Sequence, residues 1–246
     1  MNMFKIASVP YLNGMPLIEG LERVLFRPPS RLGALLTAGK ADAVLVSAIE
    51  VLRHGWEHVP GIAVASPGKT DSVRLHHKVA LPLIRRVALD RNSRSSNALA
   101  RIILERRYGL RPRYVTRDPS ARLSLEDVDA ALTIGDASFR PGRWPYLDLG
   151  TAWREFTGRP FVYALWAFLP GHPRARELGA VLREAKARGL EQIGAVAARE
   201  AKRLRLPAAF CRRYLTKRIT YDLGPAERAG LELFERYARA LRPSIF

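Results

Sequence analysis

Residues 89–104, LDRNSRSSNALARIIL, decide how this chain is to be read. Arg86-Val87-Ala88-Leu89-Asp90 reads as a strand that ends at Asp90. A polar loop follows, and then Leu99, Ile102 and Ile103 recur at helical spacing. Ser95 and Ser96 stand just ahead of that run, which predicts a helix capped by one of their hydroxyls. A strand running through a short loop into a helix is the repeating unit of an α/β fold. Its loop lies at the strand's carboxyl end, where open α/β sheets bind their ligands. A serine-rich helix start presents unpaired N–H groups, hydroxyls and the positive end of the helix dipole, all suited to a carboxylate or phosphate. The expectation is a pocket for a small organic anion with this loop as one jaw. The plainer role for either serine is to cap its own helix.

The same junction recurs outward from this stretch. Phe4 to Val9 (FKIASV) reads as a strand running into Pro10–Leu17. Pro16 suits the first turn of a helix predicted over Leu17 to Glu22. Asn13 offers a donor and an acceptor at that strand's end. Pro28-Pro29-Ser30 precedes a helix predicted over Arg31 to Ala38 with Ser30 as its cap. Ala41 to Ser47 (ADAVLVS) is a buried strand that delivers the Ser47 hydroxyl to the helix Ala48 to Arg53, with Glu50 in its first turn. Ser66 and Ser72 flank the turn Pro67-Gly68-Lys69-Thr70-Asp71. PGKT lacks the GxxxxGK spacing of a phosphate-binding P-loop, and no helix follows it. A buried strand at Ala130 to Ile134 ends at Gly135-Asp136. That carboxylate is a candidate general base, a hydrogen-bond anchor or a helix cap. Phe161 to Leu169 (FVYALWAFL) is apolar throughout and reads as a buried strand or a crossover, with Trp166 packed in the core. From Pro173 onward the pattern is helical, over Glu177 to Arg188, Leu190 to Leu204, Pro207 to Leu215 and Pro225 to Leu241.

Composition bounds the function. The 246 residues can bury a substantial core as one large domain or two small lobes. The longest apolar run is too short to span a bilayer, and MNMFKIASVPYL lacks the pattern of a secretion signal, so a cytoplasmic protein is expected. Cys211 is the single cysteine, which excludes an internal disulfide and a cysteine metal cluster; a buried structural thiol is expected. The five histidines show no HExxH-like spacing, and His76 and His77 point to opposite faces of a strand. Of the 41 basic residues only seven are lysine, and the net charge is +18. Eleven arginines fall in Arg85 to Arg122 against Asp90, Glu105 and Asp118, a segment whose expected roles are to form solvated helix faces, the default for most of these arginines, and to attract small anions. No helix-turn-helix, RNP-like or zinc-finger pattern supports nucleic acid as a partner. The order of elements predicts two lobes, residues 1–84 with 169–246 and residues 85–168, with the serines and Asn13 facing a cleft that closes by a hinge.

Five motifs carry a resemblance: VPYLNGMPL (9–17), ADAVLVSAIEVLR (41–53), VALDRNSRSSNALARIIL (87–104), ALTIGDA (131–137) and LDLGTAWREFTGRPFVYALWA (147–167). In order and spacing the chain resembles the chorismate dehydratase family of the futalosine route to menaquinone. The resemblance implies an α/β, two-lobed, type 2 periplasmic-binding-protein-like fold with a cleft between lobes and a helical C-terminal tail. It implies a lyase, with chorismate as substrate, 3-[(1-carboxyvinyl)oxy]benzoate and water as products, and no metal or organic cofactor. No nucleic acid or membrane partner is expected, and the oligomer is a monomer or a homodimer. The sister family, dihydroxynaphthoate synthase, is expected to use a histidine base, and no histidine falls in the matching loops. Asn13, Ser95 and Asp136 are the candidate catalytic residues. Tyr11, Ser47, Glu50, Ser66, Ser72, Arg94, Ser96 and Asn97 are the candidate substrate-binding residues. The base is either a carboxylate of the substrate or Asp136. The alternatives are the sister enzyme, 1,4-dihydroxy-6-naphthoate synthase of the same pathway, and a non-catalytic small-anion-binding or sensor protein of the same fold.

Overall fold

The computed structural model describes residues 4–118, 123–140 and 142–241. Arg122, counted in the basic segment above, and Met1 to Met3 lie outside them. Among the described residues eleven strands form two mixed sheets. The first contains β1 (Ile6–Ser8), β2 (Leu25–Phe26), β3 (Ala43–Ser47), β4 (Glu57–His58), β5 (Val64–Ser66) and β11 (Phe161–Phe168). The second contains β6 (Val73–His77), β7 (Arg86–Asp90), β8 (Arg113–Arg117), β9 (Ala130–Ile134) and β10 (Tyr146–Asp148), in the order β10-β6-β9-β7-β8. In the first sheet β1, β2 and β3 are parallel, and β11 runs antiparallel to β3 with Leu165 opposite Val46. In the second, β7 is parallel to β8 and β9, while β6 and β10 are antiparallel.

Helices follow the strands: α1 (Pro29–Thr37), α2 (Ala48–His54), α3 (Arg94–Ile102) and α4 (Leu149–Thr157), then the tail α5 (Ala175–Glu191), α6 (Ile193–Leu204), α7 (Ala208–Arg213) and α8 (Pro225–Arg239). The main core is continuous through both sheets, with Trp153, Trp166, Phe161 and Phe234 almost wholly buried. Trp166 is therefore a core residue, as its setting in an apolar strand implies. Cys211 is also fully buried, and burial raises its thiol pKa, which makes it a structural thiol.

The crossings between lobes differ from those read in the sequence. Expected in the first lobe, β6 pairs with β9 and β10 in the second sheet. Expected in the second, β11 lies in the middle of the first sheet. The chain thus crosses between Ser66 and Val73 and returns before Phe161. Strand pairing decides this, because a periodic pattern locates a strand without naming its partner. Asp148 ties the crossing segment down: its carboxylate accepts the N–H groups of Thr70 at 3.1 Å, Asp71 at 2.8 Å and Thr151 at 2.9 Å. The tail does not complete one lobe alone. Phe210 and Tyr214 pack edge-on against Phe139 of the second lobe, and α8 lies against both β11 and α3.

Three helix starts also move. The first helix is a 3-10 turn over Leu12–Leu17 rather than Leu17 to Glu22, with Pro16 inside it. Pro29 opens α1, where a missing N–H costs nothing, and Ser30 instead donates its hydroxyl to Asn92 Oδ1 at 2.8 Å. α3 is capped by Ser93, whose Oγ accepts from Ser96 N at 3.4 Å, and not by Ser95 or Ser96. The short strands β2 and β4, two residues each, carried no periodic signal to find.

Candidate active site

A cleft opens between the two sheets, at the ends of their strands. Tyr11 and Asn13 reach it from the 3-10 turn after β1, Ser47 from the end of β3, Ser72 from the residue before β6, and Ser96 from the first turn of α3. The fold thus brings together five of the residues singled out in the sequence. Ser93 and Tyr163 also line the cleft and were missed. Ser93 could have been found as the first hydroxyl of RNSRSS. Tyr163 carries the one hydroxyl on β11, and its place in an otherwise apolar run hid it. Val9, Leu45, Val64, Val73 and Ile134 supply the apolar walls.

Gly135 shapes one side. Its φ is +59°, and a Cβ there would stand 2.9 Å from the Tyr11 ring. Only glycine permits both that backbone and the close approach of the ring.

The polar lining is uncharged. Burial, then the nearby Asp90 and Asp136 carboxylates, push the Tyr11 hydroxyl pKa up. Burial, then Asp148, does the same to Tyr163. Both phenols therefore remain neutral. Neither arginine nor lysine is among the lining residues. Within the basic segment Arg101 pairs with Glu105, Arg107 with Glu155 and Arg117 with Asp127.

The remaining predicted residues stand behind the cleft lining or across its rim. Ser95 is buried, and its Oγ accepts the Ile49 N–H at 3.1 Å. Asp136 accepts the Leu12 N–H on Oδ1 at 2.9 Å and meets Arg203 with Oδ2 at 3.3 Å. Burial raises its pKa against the opposing pull of those two partners. Glu50 pairs with Arg94 at 3.0 Å, an ion pair between α2 and α3 with the arginine half exposed. Ser66 donates to Gly68 O at 3.0 Å and lies 3.3 Å from the Tyr163 hydroxyl, so it supports the lining from behind. Asn97 clamps the end of β7, donating to Asp90 O at 2.7 Å and accepting Asp90 N at 3.1 Å. Each of these side chains has a partner that accounts for its place. Among the described residues no group of three or more His, Cys, Asp or Glu is arranged to hold a metal ion. No helix among them is long and apolar enough to cross a membrane.

Comparison with known proteins places this architecture. Chorismate dehydratase of Thermus thermophilus is 34% identical over 251 residues, covering 94% of this chain and 91% of that protein. A solved structure from Archaeoglobus fulgidus superposes with a TM-score of 0.77 at 18% identity, covering 96% of this chain and 97% of that one. The periplasmic aliphatic sulphonate-binding protein of Escherichia coli superposes with a TM-score of 0.66 at 19% identity, covering 98% and 88%. The two-lobed fold is that of the periplasmic binding proteins. The menaquinone biosynthesis family matches residues 4–240, nearly the whole described chain. The chain belongs to the menaquinone biosynthesis family.

Proposed function

We propose that this chain is a chorismate dehydratase, a carbon–oxygen hydro-lyase that acts in the cytoplasm on the futalosine route to menaquinone and needs no cofactor. The observation that carries the reading is the cleft itself: a lining of neutral donors between apolar walls, in a chain 34% identical to a chorismate dehydratase. Chorismate is a dianion with one carboxylate on the ring and one on the enolpyruvyl group. The hydroxyls of Ser47, Ser72 and Ser96, the Asn13 amide and the amino end of the nine-residue α3 suit such a ligand. The net charge of +18 draws a dianion toward the protein without placing a cation in the site.

The reaction breaks one ring C–H bond and the neighbouring C–O bond. A base takes the C–H proton, the electron pair of that bond forms the new ring double bond, and the departing hydroxyl takes up the proton from the base, so that water is released and the ring becomes aromatic. Aromatisation supplies the driving force, so orientation and charge stabilisation suffice. Asn13 and a serine hydroxyl hold the departing hydroxyl in this reading. Both oxygens of Asp136 are engaged with Leu12 and Arg203, which supports a carboxylate of the substrate over Asp136 as the base. The absence of histidine from the lining residues supports the dehydratase over its sister enzyme.

The test is to incubate the purified chain with chorismate, without added metal, and follow products by chromatography and ultraviolet absorbance. Enolpyruvyl benzoate above the no-enzyme control is expected. Intact chorismate that still shifts the melting temperature would leave the pocket standing and remove the catalysis. An Asn13→Ala variant with full turnover would remove the role given to Asn13.

A further inference from the structure

Tyr214 lies in the C-terminal tail, 142 residues from Ser72 in sequence. Its ring is buried against Phe139 and Phe210, and its hydroxyl donates to Ser72 Oγ at 2.9 Å. The same Ser72 oxygen lies 3.1 Å from Thr70 Oγ1, a pair in which either hydroxyl can donate. The Asn13 side chain interacts with the Tyr214 hydroxyl as well, so one buried phenol joins two residues of the cleft lining.

We propose that Tyr214 is a positioning residue that orients the Ser72 hydroxyl as a hydrogen-bond donor to the bound substrate. The argument is a count of hydrogen bonds. A serine oxygen has two acceptor sites and one proton. Tyr214 fills the first acceptor site. In the proposed arrangement Thr70 is the donor of the 3.1 Å pair and fills the second. The proton of Ser72 then has the cleft as its remaining direction, and Ser72 meets the substrate as a donor. That polarity suits an oxygen that carries or develops negative charge, and a donor fixed beforehand does not have to reorganise during the reaction. Burial drives the Tyr214 pKa far upward, so the phenol stays protonated and keeps its own polarity. Without its hydroxyl, Ser72 is free to turn its proton toward Thr70 and face the substrate as an acceptor.

This inference rests on the dehydratase reading, and the experiment separates the two. Wild type, Tyr214→Phe, Ser72→Ala and the double variant are assayed with chorismate, with melting temperatures recorded alongside. Phenylalanine keeps the packing against Phe139 and removes only the oxygen. Tyr214→Phe is expected to lower kcat about tenfold, one donor's orientation being a fraction of a full donor's effect, with KM changed less than twofold. On the Ser72→Ala background the same change is expected to cost nothing further, because coupled residues are not additive. Thr70→Val, which removes the second donor with little change of shape, is expected to repeat the kcat loss and supplies the result should Tyr214→Phe fail to fold. Wild-type kcat in Tyr214→Phe, or an equal loss with and without Ser72, overturns the role of Tyr214 while the dehydratase stands. A wild type that leaves chorismate untouched overturns the dehydratase reading and this role with it.

Discussion

Ser95 Oγ accepts a hydrogen bond from the Ile49 N–H at 3.1 Å, so a side chain of one lobe caps a helix of the other. The first N–H groups of α2 have no partner within their own helix, and Ser47, at the cap position, makes no side-chain bond to them. Leu12 N–H is met in the same way by Asp136, at 2.9 Å. Two helical turns that begin at the cleft are thus capped from across it. Each cap depends on the two lobes meeting at the cleft.

Removing the Ser95 hydroxyl therefore tests the contact between the lobes. Ser95→Ala is expected to cost about 1 kcal/mol of stability, the usual cost of a lost helix cap, and to raise KM for chorismate. Urea unfolding and steady-state kinetics check both. Unchanged values for the two together would show that the bond carries no weight.

Asp136 tests the second cap by pH. Burial holds its pKa above the ordinary 3.8, against the Leu12 and Arg203 interactions. A raised carboxylate contributes stability that is fully present below the unfolded pKa and lost as pH rises through the folded one. Asp136→Asn keeps an acceptor for Leu12 N–H but does not titrate. The wild type is expected to lose stability relative to this variant as pH rises from below 4 toward neutrality. Urea midpoints that diverge in the opposite direction would contradict the assignment.

His76 works in the other direction. It is buried in the second sheet with Nε2 3.2 Å from Thr133 Oγ1, and burial, then the Arg74 charge, depresses its pKa from 6.5 to about 4. The folded state keeps it neutral where the unfolded chain takes a proton. Its contribution is present above pH 6.5 and is lost as pH falls toward 4, at up to about 1.4 kcal/mol per pH unit. His76→Gln is expected to flatten that slope, as measured by urea unfolding at pH 7 and pH 5. An unaltered slope would place the proton elsewhere.

Gly189 and Gly194 make a matched pair. A Cβ on Gly189 would stand 1.9 Å from Pro16 O, where α5 packs on the 3-10 turn that carries Asn13. A Cβ on Gly194 meets nothing within 4 Å. Gly189→Ala is expected to lower stability by about 1–3 kcal/mol and to reduce turnover by shifting the turn. Gly194→Ala is expected to raise stability by about 0.5 kcal/mol. Thermal melts of the two variants decide, and equal shifts would refute the close approach.

The strands that end at Ser47, Asp90 and Ile134, and the helices that follow Ser47 and Asp90, were legible in the sequence, because periodicity and turn chemistry act over a few neighbouring residues. So were the four tail helices and five of the cleft-lining residues, since a hydroxyl or amide at a strand's carboxyl end is placed by the junction itself. The partner of each polar group was decided only in three dimensions. Nothing local distinguishes Ser93, which caps its own helix, from Ser95, which caps another. Nothing local shows that β6 and β11 belong to opposite sheets from those their positions suggested, or that Tyr214 donates to Ser72. Hydrogen bonds between distant segments depend on which surfaces the core brings together, and that is settled by the packing of the whole chain.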